Sequence, residues 1–283
     1  LDQALWKAKK HLKSHRIEFT SGLNEDLAAT MVWGSQQVNL FPGAKHQGVF
    51  AMWYGKGPGV DRSGDVFKHG NAAGTSQHGG VLVLAGDDRA CRSSPLPHGP
   101  GQEFVSAMMP VLNPAGVQDI LDMGILGWAM SRYTGRWVGF KTIAETVESS
   151  ASVIVNPHQL DIRLPTDLVL PPGGLNIRWP DPPLDQELRL HQYAMHAAQA
   201  FARANQIDKI IFDSPRARLG IVTTGKSYLD VLQALEYLGI DHRAAEDIGI
   251  RVYKVGMTWP LEPEGIRAFA RGAGVRGDGR RGR

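Results

Sequence analysis

Cysteine is almost absent from the sequence: Cys91 is the only one among 283 residues. A single thiol cannot form an internal disulfide, and it cannot hold a zinc ion or an iron–sulfur cluster by itself. We therefore expect a protein of the reducing cytoplasm that binds no metal through this chain. The sequence also lacks a signal-peptide pattern and any apolar run long enough to cross a bilayer, so we expect no membrane association.

An excess of one sign of charge is also missing from most of the chain. The formal net charge is +3, but residues 272–283 (GAGVRGDGRRGR) hold four arginines and one aspartate, which already gives +3. The other 271 residues therefore sum to zero, and without a basic face we expect no nucleic-acid partner. Because residues 272–283 lack apolar periodicity, we expect a disordered tail or, as we favour, a stretch that is not native sequence.

Apolar residues make up 42% of the chain, enough for one large or two ordinary α/β domains. The glycine-rich stretch GKGPGVDRSG (55–64) is predicted as a loop. Strands alternate with helices, which favours a parallel sheet with helices on both faces and ligands at the carboxyl ends of its strands. The apolar periodicity predicts buried strands over 48–54 and 79–88, and helices over 2–15, 24–38 and 117–132.

The second half of the sequence begins with a proline-rich stretch, residues 157–183, which is typical of a linker. A long helix is predicted after it, over residues 184–205. A second α/β unit then follows, with strands over 218–222 and 250–255 and helices over 226–238 and from 263.

Residues Gly220 to Ser227 match the phosphate-binding P-loop pattern G-x-x-x-x-G-K-S. In a true P-loop the residues between the glycines are small, because their N–H groups wrap the phosphates. Here Ile221 and Val222 lie between them, and β-branched residues of this kind favour a buried strand. We therefore predict that this stretch binds no nucleotide.

Other short patterns carry little weight. His69, His78 and His98 match no zinc spacing. Ser93 and Ser94 lack the G-x-S-x-G elbow of a nucleophilic serine. We expect no metal site and no serine hydrolase.

Two stretches resemble one family. Residues 22–88, which contain GLNEDLAATMVWG and GGVLVLAGDD, and residues 220–263, which begin GIVTTGKSYLD, are similar to the thiamine-diphosphate-dependent 2-oxoacid:ferredoxin oxidoreductases, above all the indolepyruvate enzymes. The resemblance implies a pyrimidine-binding domain with a parallel sheet over 1–156, a linker and helix over 157–206, and a smaller transketolase-C-like α/β domain over 207–271, both domains truncated. It also accounts for the P-loop pattern, since the family has TTGKSYLD at this place.

The resemblance implies a catalytic role for Glu25, which belongs to an Asn24-Glu25 pair at the start of a predicted helix. In the family, this glutamate hydrogen-bonds N1′ of the cofactor's aminopyrimidine. A carboxyl that shares a proton with N1′ helps the cofactor to lose its C2 proton. Without the family, Glu25 would equally suit an ordinary first-turn acid that favours the helix dipole.

Further contacts are implied at the end of the first strand. Tyr54, Gly55 and Gly57 are expected near the pyrimidine, where glycines allow the main chain to approach closely. Lys56 and Arg62 are expected near the carboxylate of the substrate. Two solvated loop charges explain Lys56 and Arg62 equally well.

The activity implied is the oxidative decarboxylation of an aryl 2-oxoacid, indolepyruvate, with thiamine diphosphate, coenzyme A and ferredoxin. The Mg²⁺-diphosphate domain and the iron–sulfur cysteines are expected in parts of the parent protein outside this chain, which we expect to form a homo-oligomer and to be inactive alone. Two alternatives stay open: a related enzyme acting on pyruvate or 2-oxoglutarate, and an inactive remnant that only binds a partner.

Overall fold

The computed structural model describes residues 1–87, 96–156 and 160–272. The strands within them are β1 (Phe50–Lys56), β2 (Gly80–Gly86), β3 (Val111–Leu112), β4 (Val138–Thr142), β5 (Lys209–Phe212), β6 (Leu219–Thr224), β7 (Ile250–Val255) and β8 (Met257–Trp259). The helices before β5 are α1 (Asp2–Lys7), α2 (Lys9–Ser14), α3 (Glu25–Gln36), α4 (Gly57–Arg62), α5 (Gly64–Ala73), α6 (Pro100–Ser106), α7 (Val117–Thr134), α8 (Ala144–Val147), α9 (Pro183–Arg189) and α10 (Met195–Ala204). After β6 come α11 (Lys226–Tyr237), α12 (His242–Ile248) and α13 (Pro263–Gly272).

The first sheet has the strand order β1-β2-β4-β3-β8, and only β8 runs antiparallel to its neighbour. Strands β1 and β2 pair in parallel, with Met52 opposite Leu82. Helices cover both faces: Trp53 and Phe67 belong to the core on one side, and Leu82 and Phe201 to the core on the other. The predicted parallel sheet with helices on both faces is therefore confirmed.

The glycine-rich stretch 55–64 is not the predicted loop. Strand β1 continues to Lys56, helix α4 begins directly at Gly57, and α5 begins at Gly64. The glycines of α4 serve close packing: a Cβ on Gly57 would lie 2.5 Å from Cβ of His98, and one on Gly59 would lie 2.6 Å from Cγ of Glu25. The loop prediction was wrong because it took these glycines as a sign of a flexible chain. Their missing side chains instead leave room for neighbouring groups.

The predicted long helices differ in detail. Residues 2–14 form two short helices, α1 and α2, that meet at Ala8. The helix predicted over 184–205 is interrupted by a π-helical turn, Leu190–Ala194, between α9 and α10. Such a turn fits one extra residue into a helix.

The described part of residues 149–182 forms no helix or strand, as expected, but it is anchored to the first unit. Leu175 is buried in a small core with residues of the π-helical turn and of α10. The fully buried guanidinium of Arg136 donates hydrogen bonds to the carbonyl oxygens of Asn71, Ala72 and Leu175. One side chain thus ties the end of α5 to the irregular segment.

The second sheet has the order β5-β7-β6, with β6 parallel and β5 antiparallel to β7. Because β6 is an edge strand, Val222 is 52% exposed and Ile221 is only half-buried. The prediction that both side chains are buried was therefore wrong, although both lie in a strand. Strand β8, inside the segment predicted as the second domain, pairs with β3, so the two units share the first sheet.

Across the described parts of the chain, the helices are all too short or too polar to cross a membrane.

Candidate active site

Glu25 is the first residue of helix α3, and Asn24 caps that helix. The Asn24 Oδ1 accepts a hydrogen bond from the N–H of Leu27 at 3.0 Å, the usual role of an N-cap asparagine. The indole Nε1 of Trp53, the middle residue of β1, donates to the carbonyl oxygen of Glu25 at 3.0 Å. Glu25 therefore starts a helix that packs on the parallel sheet, as predicted, and it lies near the edge where ligands of such sheets bind.

The Glu25 side chain is half-buried against helix α4. An ideal Cβ on Gly59 would lie 2.6 Å from Cγ and 3.3 Å from Cδ of Glu25. Gly59 itself is buried, so the stem of Glu25 lies directly on the main chain of α4. The carboxylate is thus next to backbone and partly reachable from solvent.

Arg62 binds the residue after Glu25 rather than standing free. Its Nε lies 2.7 Å from Oδ1 of Asp26, and both side chains are at least one-third exposed. The hydrogen bond from Arg62 lowers the pKa of Asp26. Arg62, at the end of α4, therefore lies near Glu25 and is already ion-paired with the carboxylate of Asp26. Its contact with the substrate stays a prediction.

The opposite face of α4 carries a pair of residues that no sequence pattern predicts. Nδ1 of His98 is hydrogen-bonded to Oδ2 of Asp61, 37 residues away in sequence, and the His98 side chain lies against Gly57. Spacing alone cannot indicate such a pair, because the two residues belong to separate elements. Only the packing of α4 on the segment before α6 brings them together.

The other residues predicted at the end of β1 are already engaged within the chain. The Tyr54 hydroxyl donates to Oδ1 of Asp2 in α1 at 2.5 Å, and burial, helped by this bond, raises the pKa of Tyr54 to about 12. Gly55 leaves room for the ring of Trp53, since a Cβ there would lie 2.5 Å from Cη2. Lys56 ends the strand and is exposed.

A buried ion pair lies at the same edge of the sheet. Nζ of Lys141, in β4, is 2.8 Å from Oδ2 of Asp87, which follows β2, and both side chains are largely buried. Because Ala85 pairs with Lys141 across the strands, this pair belongs to the carboxyl ends of two neighbouring strands. It was not predicted as a functional group.

Of the three histidines considered as metal ligands, His69 and His98 have different carboxylate partners. His69 faces Asp65 and stacks on Trp33, whereas His98 binds Asp61. Over residues 1–87, 96–156 and 160–272, no three potential ligands from His, Cys, Asp and Glu cluster as a metal would require. Cys91, Ser93, Ser94 and residues 273–283 lie outside the described residues.

The P-loop look-alike has a different geometry from a phosphate cradle. Residues 219–224 form β6, and Gly225 immediately precedes α11. The Nζ of Lys226 lies 2.5 Å from Oδ1 of Asp230 on the same helix. The lysine that would reach a phosphate is paired with a carboxylate one turn along instead.

Comparisons with known proteins agree with this architecture. A family model described as the indolepyruvate oxidoreductase domain matches residues 209–275. The indolepyruvate oxidoreductase subunit IorA of Pyrococcus abyssi is 26% identical over 79% of this chain. The chain spans 33% of that relative's length.

The fold also matches a solved structure, a 2-oxoglutarate:ferredoxin oxidoreductase from Magnetococcus marinus with 2-oxoglutarate, coenzyme A and succinyl-CoA bound. The match has a TM-score of 0.61 at 15% identity, over 96% of this chain and 51% of the other. At this identity, the likeness concerns the fold.

The chain is an α/β protein in which the carboxylate of Glu25 lies at a helix start, beside the carboxyl ends of parallel strands. Parallel sheets of this kind usually bind their ligands at those strand ends. The family model over residues 209–275, the relative and the matching fold all make the chain similar to proteins of the 2-oxoacid:ferredoxin oxidoreductase type.

Proposed function

We propose that this chain forms the pyrimidine side of a thiamine diphosphate site in an enzyme that oxidatively decarboxylates a 2-oxoacid. The observation that carries the proposal is the position of Glu25: a half-buried carboxylate at the start of α3, held over Gly59. A carboxyl group in such a place can exchange a proton with a ring nitrogen while water is partly kept away.

The residues present fit the pyrimidine half of this cofactor. A ring nitrogen needs one carboxyl partner, and Glu25 offers a half-buried carboxyl beside the main chain of α4 at Gly59. The diphosphate half needs Mg²⁺ ligands and helix N-termini, for which we propose a separate domain of the same enzyme. When bound, thiamine diphosphate supplies the carbon nucleophile that attacks the keto carbon of the oxoacid.

The roles proposed for this chain's residues follow from their positions. Glu25 holds and returns a proton at N1′ of the pyrimidine, and Asn24 fixes the start of the helix that carries it. Tyr54, Gly55 and Gly57 contribute main-chain and ring surface beside the pyrimidine. Lys56 ends β1, and Arg62, which is ion-paired with Asp26, ends α4. We propose that both attract the substrate carboxylate.

Indolepyruvate is the substrate we propose. The family model and the Pyrococcus relative both carry the word indolepyruvate in their descriptions, which supports an aryl 2-oxoacid. The matching fold belongs to an enzyme with 2-oxoglutarate bound, so 2-oxoglutarate and the smaller pyruvate are the alternatives to test. We further propose that coenzyme A takes the acyl group and ferredoxin the electrons, through iron–sulfur clusters of other domains, in a cytoplasmic homo-oligomer.

The test compares the chain alone with the chain completed by its diphosphate-binding domain and iron–sulfur domains. Reduction of a viologen dye is measured with indolepyruvate, pyruvate and 2-oxoglutarate, each with coenzyme A and thiamine diphosphate. We expect turnover only in the completed enzyme and fastest with indolepyruvate. Faster turnover of another oxoacid would show that indolepyruvate is not the preferred substrate. A completed enzyme that turns over none of the three would favour the alternative in which the chain only binds a partner.

A further inference from the structure

Trp53 connects the first strand to the residue proposed to carry the chemistry. Its ring is 2% exposed and packs edge-on against Phe67, with ring centroids 5.1 Å apart. Gly55 leaves space for the far edge of this ring, and Nε1 donates to the carbonyl oxygen of Glu25. The ring is therefore fixed on two sides, and its N–H fixes the main chain where α3 begins.

Gly59 constrains the other part of Glu25, its side chain. A Cβ at this position would overlap Cγ of Glu25 at 2.6 Å, closer than real Cβ contacts come. Because Gly59 lies inside α4 and is buried, the helix cannot easily move away to make room. Only glycine thus lets the glutamate stem lie where it does.

Resting on the proposed function, we propose that Trp53 and Gly59 are positioning residues for Glu25. Trp53 sets the height of its main chain above the sheet, and Gly59 sets the direction of its carboxyl stem. Neither residue needs to touch cofactor or substrate. Errors of about 1 Å in the position of a catalytic group can cost a hundredfold in rate, so two fixed points for one carboxylate have a functional reason.

The first test replaces Trp53 by Phe, which keeps an aromatic ring and removes the N–H. The matched control is Trp137→Phe: Trp137 is also fully buried and packs on the same Phe67, but among the described residues its Nε1 has no acceptor. Both variants shrink the same core. Only Trp53→Phe removes a hydrogen bond to Glu25.

We expect Trp53→Phe to lower kcat of the completed enzyme about tenfold relative to Trp137→Phe, with KM for the oxoacid nearly unchanged. In the chain alone, the ¹³C resonance of the Glu25 carbonyl should move in Trp53→Phe and stay in place in Trp137→Phe. Equal kcat values and an unmoved resonance would overturn the role of Trp53.

The second test is a double-mutant cycle on the chain alone, with the folding equilibrium constant as readout. Gly59→Ala should lower this constant at least about tenfold when Glu25 is present, because overpacking is costly. In a Glu25→Ala background the overlapping atoms Cγ and Cδ are gone, so most of that loss should disappear. Gly34→Ala is the control, because its Cβ would meet nothing within 4 Å on α3.

Gly34→Ala should leave the constant unchanged or raise it in both backgrounds. Equal losses from Gly59→Ala with and without the glutamate side chain would show that Gly59 does not seat Glu25. This cycle still decides the matter if Trp53→Phe fails to fold, since it uses neither that variant nor turnover.

The positioning proposal and the proposed function can fail separately. If Glu25→Gln abolishes turnover but Trp53→Phe and Gly59→Ala behave as their controls do, the function stands and the positioning is wrong. If Glu25→Gln is fully active, the function of Glu25 is wrong whatever the carbonyl resonance and the folding cycle show.

Discussion

Asn113 lies directly against Gly225, across the junction of the two α/β units. An ideal Cβ on Gly225 would be 2.7 Å from Nδ2 of Asn113, and the same Nδ2 donates to Oγ1 of Thr224 at 3.1 Å. Thr224 in turn donates to the carbonyl oxygen of Val255 at 2.8 Å. The end of β6, where a P-loop would cradle phosphate, is therefore packed against the chain's own first unit.

This packing leads to our first prediction: the Gly220–Ser227 stretch binds no nucleotide. Lys226 is ion-paired with Asp230, Asn113 lies against Gly225, and residues 219–224 are paired with β7 as strand β6. Isothermal calorimetry with ATP and GTP plus Mg²⁺ should give no binding in the micromolar range. Micromolar binding that Lys226→Ala abolishes would show that the motif is a true P-loop.

The second prediction concerns the ion pair that joins the units. Nζ of Lys254, in β7, lies 2.5 Å from Oδ2 of Asp119 in α7, and the lysine side chain is 7% exposed. Lys254→Met leaves the partly buried Asp119 carboxylate with the N–H of Ala115 as its one remaining hydrogen-bond donor in the described part of the chain. We expect a loss of about 2–4 kcal/mol in the free energy of unfolding, measured by urea titration.

Lys226→Met is the matched control for this experiment, because it removes an exposed pair of the same kind. Such i,i+4 surface pairs contribute only about 0.3–0.5 kcal/mol. Equal costs for Lys226→Met and Lys254→Met would mean that the junction pair does not hold the two units together.

The third prediction is a pH dependence that originates at Asp208. Its Oδ1 accepts hydrogen bonds from the N–H groups of Gly256 and Met257 at the turn between β7 and β8. Its Oδ2 is buried without a partner in the described part of the chain. Burial raises the pKa of Asp208 from near 3.8 to about 6, against those two hydrogen bonds, and the nearby Glu262 adds to the rise.

The folded chain therefore binds more protons than the unfolded chain between about pH 4 and pH 6. The contribution of Asp208 to the free energy of unfolding is highest below pH 4 and falls by about 3 kcal/mol as pH rises through 6. Asp208→Asn keeps an acceptor for both N–H groups and buries no charge. We expect this variant to exceed the wild type by about 1–3 kcal/mol at pH 7 and to lose that advantage near pH 4.

Urea titrations at pH 4, 5.5 and 7 measure this difference. Asp185→Asn, at an exposed position in the first turn of α9, is the control and should show no such crossover. An Asp208→Asn variant that is less stable than the wild type at pH 7 would contradict this prediction. It would mean that the two hydrogen bonds to the charged carboxylate stabilise the fold by more than the burial of its charge destabilises it.

The local parts of the fold were predictable from sequence, and the reasons are physical. Asn24 before two acids indicates a helix start, and the apolar runs around Trp53 and Val83 indicate neighbouring buried strands. Each of these signals depends only on residues that are adjacent in the sequence. Glu25 was therefore expected at a helix start over a parallel sheet, where it lies.

The rest depended on contacts between distant segments. Strand order decides that Val222 faces solvent, and no local pattern reports strand order. The glycines at 57 and 59 indicated a loop because their partners, His98 and Glu25, are far away in sequence. For the same reason the Asp61–His98 pair could not be predicted.

The most direct test of the central claim is the turnover of Glu25→Gln in the completed enzyme, measured by viologen reduction with indolepyruvate. A neutral amide cannot exchange a proton with N1′, so we expect kcat to fall about 10²- to 10⁴-fold with the fold unchanged by circular dichroism. Glu187→Gln, at an exposed position on α9, should retain full turnover. A Glu25→Gln enzyme that turns over as fast as Glu187→Gln would contradict the account.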